Sequence, residues 1–244
     1  MILPGPLQLL ECTLPDAAEN VALDEALLRR IEEADGRPVL RLWELEDYAV
    51  VVGRANRIER NVNVEACRRD GVPIVRRCSG GGTVLLGPGA IVYSLFLRVE
   101  KSSHLANIDA ATALVLERIL TPLRETVGTL ERKGSSDLAA DGVKVSGNSQ
   151  RWLRSTFLHH GTLLYDFDVS RIEQYLTTPE REPDYREGRE HADFVRNLPI
   201  SGEQLRKSLI EAWDARLDPP EAPFNLVRDL VRERYGNAEW TFRM

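Results

Sequence analysis

The sequence predicts an α+β fold in which a largely antiparallel or mixed β-sheet is flanked by helices. Short β-type runs follow one another between residues 39 and 97, whereas helical periodicity lies before, between and after the strand-rich segments. The elements do not alternate in the βαβ rhythm of a Rossmann-type sheet. With 244 residues, 43% of them apolar, the chain can bury one substantial core. We expect a single domain over residues 1–244, without a C-terminal accessory domain.

The spacing of apolar residues predicts the helices and strands in the first half of the chain. Leu23, Leu27 and Ile31 recur every four residues, which predicts an amphipathic helix over 20–31. Runs rich in β-branched residues predict strands. A second helix is predicted over 109–123. The predicted strands are 39–43, 48–52, 72–75, 83–86 and 91–97.

A β-hairpin is predicted at the start of the second half, over residues 138–146. Asp141-Gly142 is a strong turn signal because both central residues of a type I′ turn need positive φ. A strand over 157–167 follows. Ser201 with Gln204 forms a capping-box pattern that predicts the start of another helix, and a last helix is expected over 226–235.

The segment 178–196 between that strand and the capping box is heavily charged and has few apolar anchors. We expect it to form a solvent-exposed loop. The alternative is a loop that orders over a ligand or contacts an acceptor.

Composition excludes several classes of protein. A net charge of −6 argues against general nucleic-acid binding, which depends on clustered lysine and arginine. The three cysteines contain no Cys-x-x-Cys pair that would suggest zinc or a redox dithiol, and they fit a reducing cytosol. No segment reads as a signal peptide or a membrane span. We expect a cytoplasmic protein with no membrane or nucleic-acid partner.

The run from Arg76 to Thr83 places two arginines before three glycines, with only Cys78 and Ser79 between them. Glycines allow successive N–H groups to converge on an anion, and the arginine fork matches the oxygens of phosphate and carboxylate. The pattern predicts an anion cradle. A glycine-rich turn with solvated arginines is the alternative. In a regular strand the two arginines face opposite ways, and we expect Arg77 to face inward.

Lys144 and the His159-His160 pair are further candidates. Lys144 follows the hairpin turn and shares a strand face with Ser146, where it could bind an anionic ligand or be solvated. Adjacent histidines on a strand point to opposite faces, so we expect one in the core and one in a cleft rather than a zinc site. Ser79 lacks the Gly-x-Ser-x-Gly context of a hydrolase nucleophile.

Five motifs in order resemble the catalytic domain of the lipoate-protein ligase A family, within the wider group of biotin and lipoate protein ligases. The motifs are 20–27, 40–43 with 51–54, 76–82, 141–147 and 157–164. The resemblance implies an enzyme that uses Mg-ATP to convert lipoate or octanoate into an acyl-adenylate. It then implies transfer of the acyl group to a lysine of a lipoyl-domain acceptor protein. Longer ligases have a small accessory domain; either a separate accessory subunit supplies it here or this form does not need one.

The resemblance also implies roles for individual residues. Lys144 would be the catalytic residue, bridging the acyl carbonyl and the phosphate oxygens. No metal ligand from the protein is expected. The expected nucleotide and adenylate contacts are Arg76, Arg77, Ser79, Gly80, Gly81, Gly82, Thr83, Val84, Leu85 and Lys144, and the expected acyl-substrate contacts are Arg54, His160, Gly161 and Thr162.

Departures from the family pattern leave two other functions open. Many members have His-Asp and Gly-Asn after the glycines, where this chain has Leu86-Gly87 and Gly89-Ala90. A binding protein without turnover is therefore one alternative. An octanoyltransferase that takes its acyl group from acyl carrier protein is the other, but it needs a thiolate beside the lysine. Ser135 and Ser136 stand where such enzymes carry cysteine, which favours the ligase.

Overall fold

The computed structural model describes residues 6–33, 36–100, 103–178, 182–216 and 218–243. Within these ranges the strands form a seven-stranded and a three-stranded sheet. The strands are β1 (Gln8–Glu11), β2 (Val39–Trp43), β3 (Ala49–Val52), β4 (Ile74–Arg76), β5 (Val84–Leu86), β6 (Ala90–Arg98), β7 (Leu130–Lys133), β8 (Asp137–Ala140), β9 (Val143–Trp152) and β10 (Thr156–Leu164).

The helices lie around these sheets. They are α1 (Ala17–Glu33), α2 (Ile58–Asn61), α3 (Val64–Asp70), α4 (Ile108–Val127), α5 (Ser170–Tyr175), α6 (His191–Phe194), α7 (Gly202–Ala212), α8 (Phe224–Leu230) and α9 (Ala238–Thr241). Short 3₁₀ turns occupy His104–Ala106 and Asp184–Arg186, and a π-helical turn, Val231–Tyr235, follows α8. None of the helices in the described ranges combines the length and apolar character that crossing a bilayer requires.

The large sheet has the order β1-β2-β6-β10-β9-β8-β7. Its strands pair antiparallel except β1, which is parallel to β2. In the small sheet, β3 lies between β4, to which it is parallel, and β5, to which it is antiparallel. The predicted α+β class with a mixed, mostly antiparallel sheet is confirmed.

Both faces of the large sheet are buried around its central strand β6. Ile91, Tyr93 and Leu95 belong to the core that contains α4 and α7, whereas Val92 and Phe96 belong to the core around α1. This separation follows from the period of two along a strand. It also explains why β6 reads as a nearly continuous apolar run.

A buried ion pair ties α1 to the sheet. Arg41 of β2 is fully buried, and its Nη1 lies 2.6 Å from Asp24 Oδ1. Burial alone would raise the pKa of Asp24, but the charge of Arg41 and hydrogen bonds from His160 and Ser94 lower it below its ordinary value. Asp24 is therefore ionised at neutral pH.

Most predicted elements are present, with differences at their ends. The first long helix extends over 17–33 and the second over 108–127, while β10 ends at Leu164 rather than at residue 167. The hairpin turn is confirmed by φ values of 50° at Asp141 and 75° at Gly142. Periodicity did not predict the short edge strands β1 and β7 or the short helices α2, α5, α6 and α9.

The expectation of a solvent-exposed loop over 178–196 holds only in part for residues 182–196, where Asp184, Glu187 and Glu190 are exposed; residues 179–181 lie outside the described part. Arg186, His191 and Phe194 are all buried. Phe194 anchors the segment because Arg186 and Arg189 stack on its ring at 5.1 and 5.2 Å and Tyr185 packs against it. Two arginines thus cover an apolar anchor, while acidic residues of the segment remain exposed.

The cap of α7 allows a test of local stability. Ser201 Oγ accepts a hydrogen bond from the Gln204 N–H, and Gln204 Oε1 accepts one from the Ser201 N–H. We expect Ser201→Ala to lower the free energy of unfolding by about 1 kcal/mol, since two backbone donors lose a fixed arrangement. Urea denaturation followed by circular dichroism measures this value. The exposed control Ser170→Ala lies outside this cap, and equal stability of Ser201→Ala and wild type would contradict the prediction.

Candidate active site

A cavity of about 800 Å³ lies where the two sheets meet. Residues of β3, β5, β9 and β10 form its wall, together with the glycine loop (residues 77–83) and the segment of residues 182–195, called the 182–195 segment below. Two groups of apolar side chains line it, one from the α1 core and one from the core around α5. They are Val21, Trp43, Val51, Leu86 and Val92 in the first group, and Leu164, Phe167, Ile172 and Leu176 in the second.

Arg77 shapes the glycine loop from within. Its Nη2 donates to the carbonyl oxygens of Gly80 and Gly82 at 2.5 and 2.8 Å. In a trans peptide the following N–H points opposite to the carbonyl, so the N–H groups of Gly81 and Thr83 face away from Arg77. Gly81 has a φ of 78°, which favours glycine. Because Arg77 binds these two carbonyl oxygens, the N–H groups of Gly81 and Thr83 point to the opposite side of the loop.

The guanidinium of Arg77 is a buried positive charge. Its hydrogen bonds in the described structure all go to uncharged oxygens, those of Ser79 Oγ and the Val51, Gly80 and Gly82 carbonyls. Burial lowers the pKa of Arg77 to about 10, so the group stays protonated at neutral pH. A charge without a carboxylate partner beside a cavity favours an anionic ligand.

Arg76 points away from the cavity, as expected for neighbouring residues at a strand end. Its guanidinium donates to the carbonyls of Gly53, Asn56 and Thr241 at 2.9, 2.7 and 2.8 Å. It therefore holds the C-terminal segment against the small sheet. Arg54 is exposed, and its backbone N–H donates to the Ser79 carbonyl.

The predicted contacts thus divide into two groups. Among the described residues, the cavity wall does not include Arg54, Arg76, Ser79 or Gly80. The structure brings together Arg77, Gly81, Gly82, Thr83, Val84, Leu85, Lys144, His160, Gly161 and Thr162.

Lys144 lies on β9, next to an irregularity in the pairing of β8 with β9. Its Nζ lies 2.8 Å from Asp137 Oδ1, and Asp137 Oδ2 accepts a hydrogen bond of 2.9 Å from Tyr185. Burial and the carboxylate of Asp137 raise the pKa of Tyr185 well above its ordinary value, so the phenol remains a donor. One carboxylate therefore contacts both the lysine and the 182–195 segment.

The two histidines of β10 face opposite ways, as predicted. His159 is fully buried, lies 2.9 Å from Gln150 and stacks on Tyr93. Burial lowers the pKa of His159 to about 3, so it is neutral. His160 lines the cavity, with Nε2 2.6 Å from Ser79 Oγ and Nδ1 3.2 Å from Asp24 Oδ2.

Gly161 and Thr162 continue the same wall. A Cβ at Gly161 would overlap Asn148 Oδ1, so the close approach of β9 and β10 requires glycine there. Asn148 is itself fixed by hydrogen bonds to the Ser136 carbonyl and from Tyr93. This wall lies against the glycine loop, where Ser149 Oγ donates to the Gly80 carbonyl at 2.8 Å.

No cysteine lines the cavity. Cys12, Cys67 and Cys78 all belong to the described residues and are free; Cys12 is partly exposed and the other two are buried. Burial raises the pKa of Cys78 to about 12. Ser135 and Ser136 occupy the wall near Lys144 instead. In the part of the chain that the structure describes, no three His, Cys, Asp or Glu side chains form a group that could hold a metal.

Sequence reasoning missed three residues that line the cavity or contact its wall. The sequence held a signal for Asp24, because a charged residue between apolar residues of a predicted helix indicates burial. Asp137 gave none, because its contact with Lys144 depends on the irregular pairing of β8. His191 lines the cavity from a segment that was expected to be solvated.

Comparison with known proteins agrees with this geometry. A protein of Aeropyrum pernix named as a lipoate-protein ligase A is 33% identical over 221 residues, which cover 88% of this chain and 80% of that protein. The octanoyltransferase LipM of Halalkalibacterium halodurans is 25% identical over 264 residues, covering 93% and 95%.

The fold is also that of solved ligases. The bipartite lipoate protein ligase of Thermoplasma acidophilum, studied with its E2 lipoyl domain, has a TM-score of 0.84 at 22% identity, over 97% of this chain and 96% of that one. A lipoate-protein ligase A solved with ATP has the same TM-score and identity over 97% and 98%. A family model described as the lipoyl protein ligase A/B catalytic domain matches residues 16–211, and the chain belongs to that family.

Proposed function

We propose that this enzyme is an ATP-dependent lipoate-protein ligase. It would activate lipoate or octanoate to the acyl-adenylate and then transfer the acyl group to a lysine of a lipoyl-domain acceptor. The observation that carries the proposal is the composition of one cavity. Two cations, Arg77 and Lys144, and the glycine loop line the same space as two groups of apolar side chains, and no thiol lines it among the described residues.

The first step brings two anions together. An oxygen of the acid attacks the α-phosphorus of ATP, the bond to the β-phosphate oxygen breaks, and pyrophosphate leaves with the electron pair. Negative charge must be stabilised on the carboxylate and the phosphate oxygens at once. The N–H groups of Gly81 and Thr83 can provide this as fixed donors, and the ammonium of Lys144 can add a positive charge once it turns from Asp137 to the ligand. Mg²⁺ would enter as part of the nucleotide substrate.

The second step uses the same lysine differently. The amine of the acceptor lysine attacks the acyl carbonyl, the mixed anhydride breaks, AMP leaves and a proton is released. Lys144 Nζ can stabilise the oxyanion only after it moves from Asp137 toward the ligand. The partly exposed side chain of Lys144 allows this movement.

Partner proteins follow from the proposal. A second protein must supply the acceptor lysine, and the relative from Thermoplasma acidophilum was studied with its E2 lipoyl domain. That relative is a bipartite ligase, which supports a separate accessory subunit here as part of the proposal.

An octanoyltransferase is the second candidate, because relatives of similar length are named octanoyltransferase LipM. That reaction needs a nucleophilic thiolate next to the lysine. The serines at 135 and 136, and a cavity wall without cysteine among the described residues, argue for the ligase.

Lys144→Ala tests the assignment of the catalytic residue. We expect pyrophosphate release with Mg-ATP and lipoate or octanoate to fall by at least about a hundredfold, because one preorganised charge that stabilises the transition state is removed. An enzyme-coupled pyrophosphate assay measures the rate. Lys207→Ala, an exposed lysine on α7, is the matched control and should keep the wild-type rate.

Testing octanoyl-acyl carrier protein as a second acyl donor separates the ligase from the octanoyltransferase and from a binding protein. Acid-dependent pyrophosphate release by wild type that is lost in Lys144→Ala supports the ligase. Transfer from octanoyl-acyl carrier protein without ATP would replace it with the octanoyltransferase. Binding of ATP or lipoate without either reaction would indicate a binding protein.

Thiol labelling tests the cysteine argument independently of the substrate. At pH 8 a thiol of pKa about 12 is ionised in only about one molecule in ten thousand, so Cys78 should not react. Burial also raises the pKa of Cys67. Mass spectrometry should therefore find iodoacetamide only on Cys12 in the native protein and on all three cysteines after unfolding. Full activity of the labelled enzyme is expected, and its loss would point to a catalytic thiol.

A further inference from the structure

A continuous chain of hydrogen-bonding groups leads from the buried Asp24 to the glycine loop. Asp24 Oδ2 lies 3.2 Å from His160 Nδ1, and His160 Nε2 lies 2.6 Å from Ser79 Oγ. Ser79 Oγ in turn accepts a hydrogen bond of 2.9 Å from Arg77 Nε. The chain joins the same arginine that binds the loop carbonyls. Asp24 and Ser79 are nearly fully buried, so water does not compete for these contacts.

Each proton in this chain can be assigned from its neighbours. Arg77 Nε can only donate, so Ser79 Oγ accepts there and its own hydrogen is left for His160. The ionised Asp24 can only accept, so His160 Nδ1 carries a proton. The consistent arrangement has Ser79 donating to an unprotonated Nε2. The hydrogen bonds then all run in one direction: Arg77 donates to Ser79, Ser79 to His160, and His160 to the carboxylate of Asp24.

The hydrogen-bond partners around His160 match the Nδ1–H tautomer. Arg41 already compensates the carboxylate of Asp24 at 2.6 Å, and Ser94 donates to the same carboxylate at 2.8 Å. A proton on Nε2 would place a second donor against Ser79 Oγ, which already accepts from Arg77 Nε. It would also deprive the Ser79 hydroxyl of its acceptor.

We propose that His160 is a positioning residue of the glycine loop, in the neutral Nδ1–H form that accepts a hydrogen bond from Ser79. Through Ser79 it fixes the guanidinium of Arg77, and Arg77 fixes the carbonyls of Gly80 and Gly82. The direction of the loop N–H groups toward a ligand therefore depends on a carboxylate in α1. The consequence for catalysis rests on the proposed ligase function, whereas the proton arrangement does not.

A matched pair of variants separates this role from packing. The amide of glutamine can place an oxygen at the position of Nε2, so His160→Gln keeps an acceptor for Ser79. The shorter asparagine can place its amide only near Nδ1, so His160→Asn keeps the donor to Asp24 and loses the acceptor. We expect kcat/KM for ATP to fall about tenfold in His160→Asn and to stay within about threefold of wild type in His160→Gln. The loss should lie in kcat, with KM for the acid little changed.

Nitrogen-15 NMR of the histidine side chains gives a readout that needs no turnover, and the chain has only four histidines. We expect an unprotonated Nε2 and a protonated Nδ1 for His160 in wild type at neutral pH. In Ser79→Ala the Nε2 resonance should shift, because it loses its donor, while His159 stays unchanged. Thermal unfolding of each variant shows whether it is folded.

The outcomes distinguish failure of the inference from failure of the proposed function. An imidazolium, an Nε2–H form, or equal loss of activity in the two folded His160 variants would overturn the positioning role. Absence of ATP turnover in wild type, with the expected NMR signature, would overturn the ligase proposal and support the hydrogen-bond arrangement.

Discussion

The carboxylate of Asp24 is the contact on which the geometry of the site depends. It lies on α1 and binds Arg41 of β2, Ser94 of β6 and His160 of β10. These three strands are neighbours in the large sheet, so one buried anion joins the helix to three adjacent strands. Since a buried charge is costly without such partners, helix and sheet must adopt one relative position. His160 reaches the glycine loop from this fixed position.

The buried arginines show how an acidic protein builds a cationic site. Arg41 is compensated by Asp24, whereas Arg76 and Arg77 bind mainly backbone carbonyls. Carbonyl dipoles satisfy the donors of a guanidinium but leave its charge uncompensated. The cavity wall carries Arg77, Lys144 and Arg186 together with Asp137, Glu182 and Asp184. Lys144 and Arg186 lie beside Asp137 and Glu182, whereas the hydrogen bonds of Arg77 go to uncharged oxygens.

Sequence patterns predicted the fold class and the residues that lie on regular strands. The facing of Arg76, Arg77, His159 and His160 followed from the period of two, and the hairpin turn followed from Asp141-Gly142. The contact of Asp24 with His160 could not be predicted in this way because it joins residues 136 positions apart, and that of Asp137 with Lys144 because it depends on irregular pairing. The 182–195 segment was misjudged because its anchor is a single phenylalanine covered by arginines.

Asp137 shows why the rigid and the adaptable parts of the site are separate. The glycine loop is held by Arg77 through contacts within the core, whereas Lys144 is held by a carboxylate that also binds Tyr185. A phosphate that approaches Lys144 competes with Asp137 for the ammonium. If Lys144 turns from Asp137 to a ligand, Asp137 keeps only its hydrogen bond from Tyr185 Oη. Ligand binding at the lysine would therefore change the contacts of the 182–195 segment, to which Tyr185 belongs. Fixed donors in the glycine loop and an exchangeable cation at Lys144 suit the proposed ligase reaction, whose two steps place charge on different oxygens.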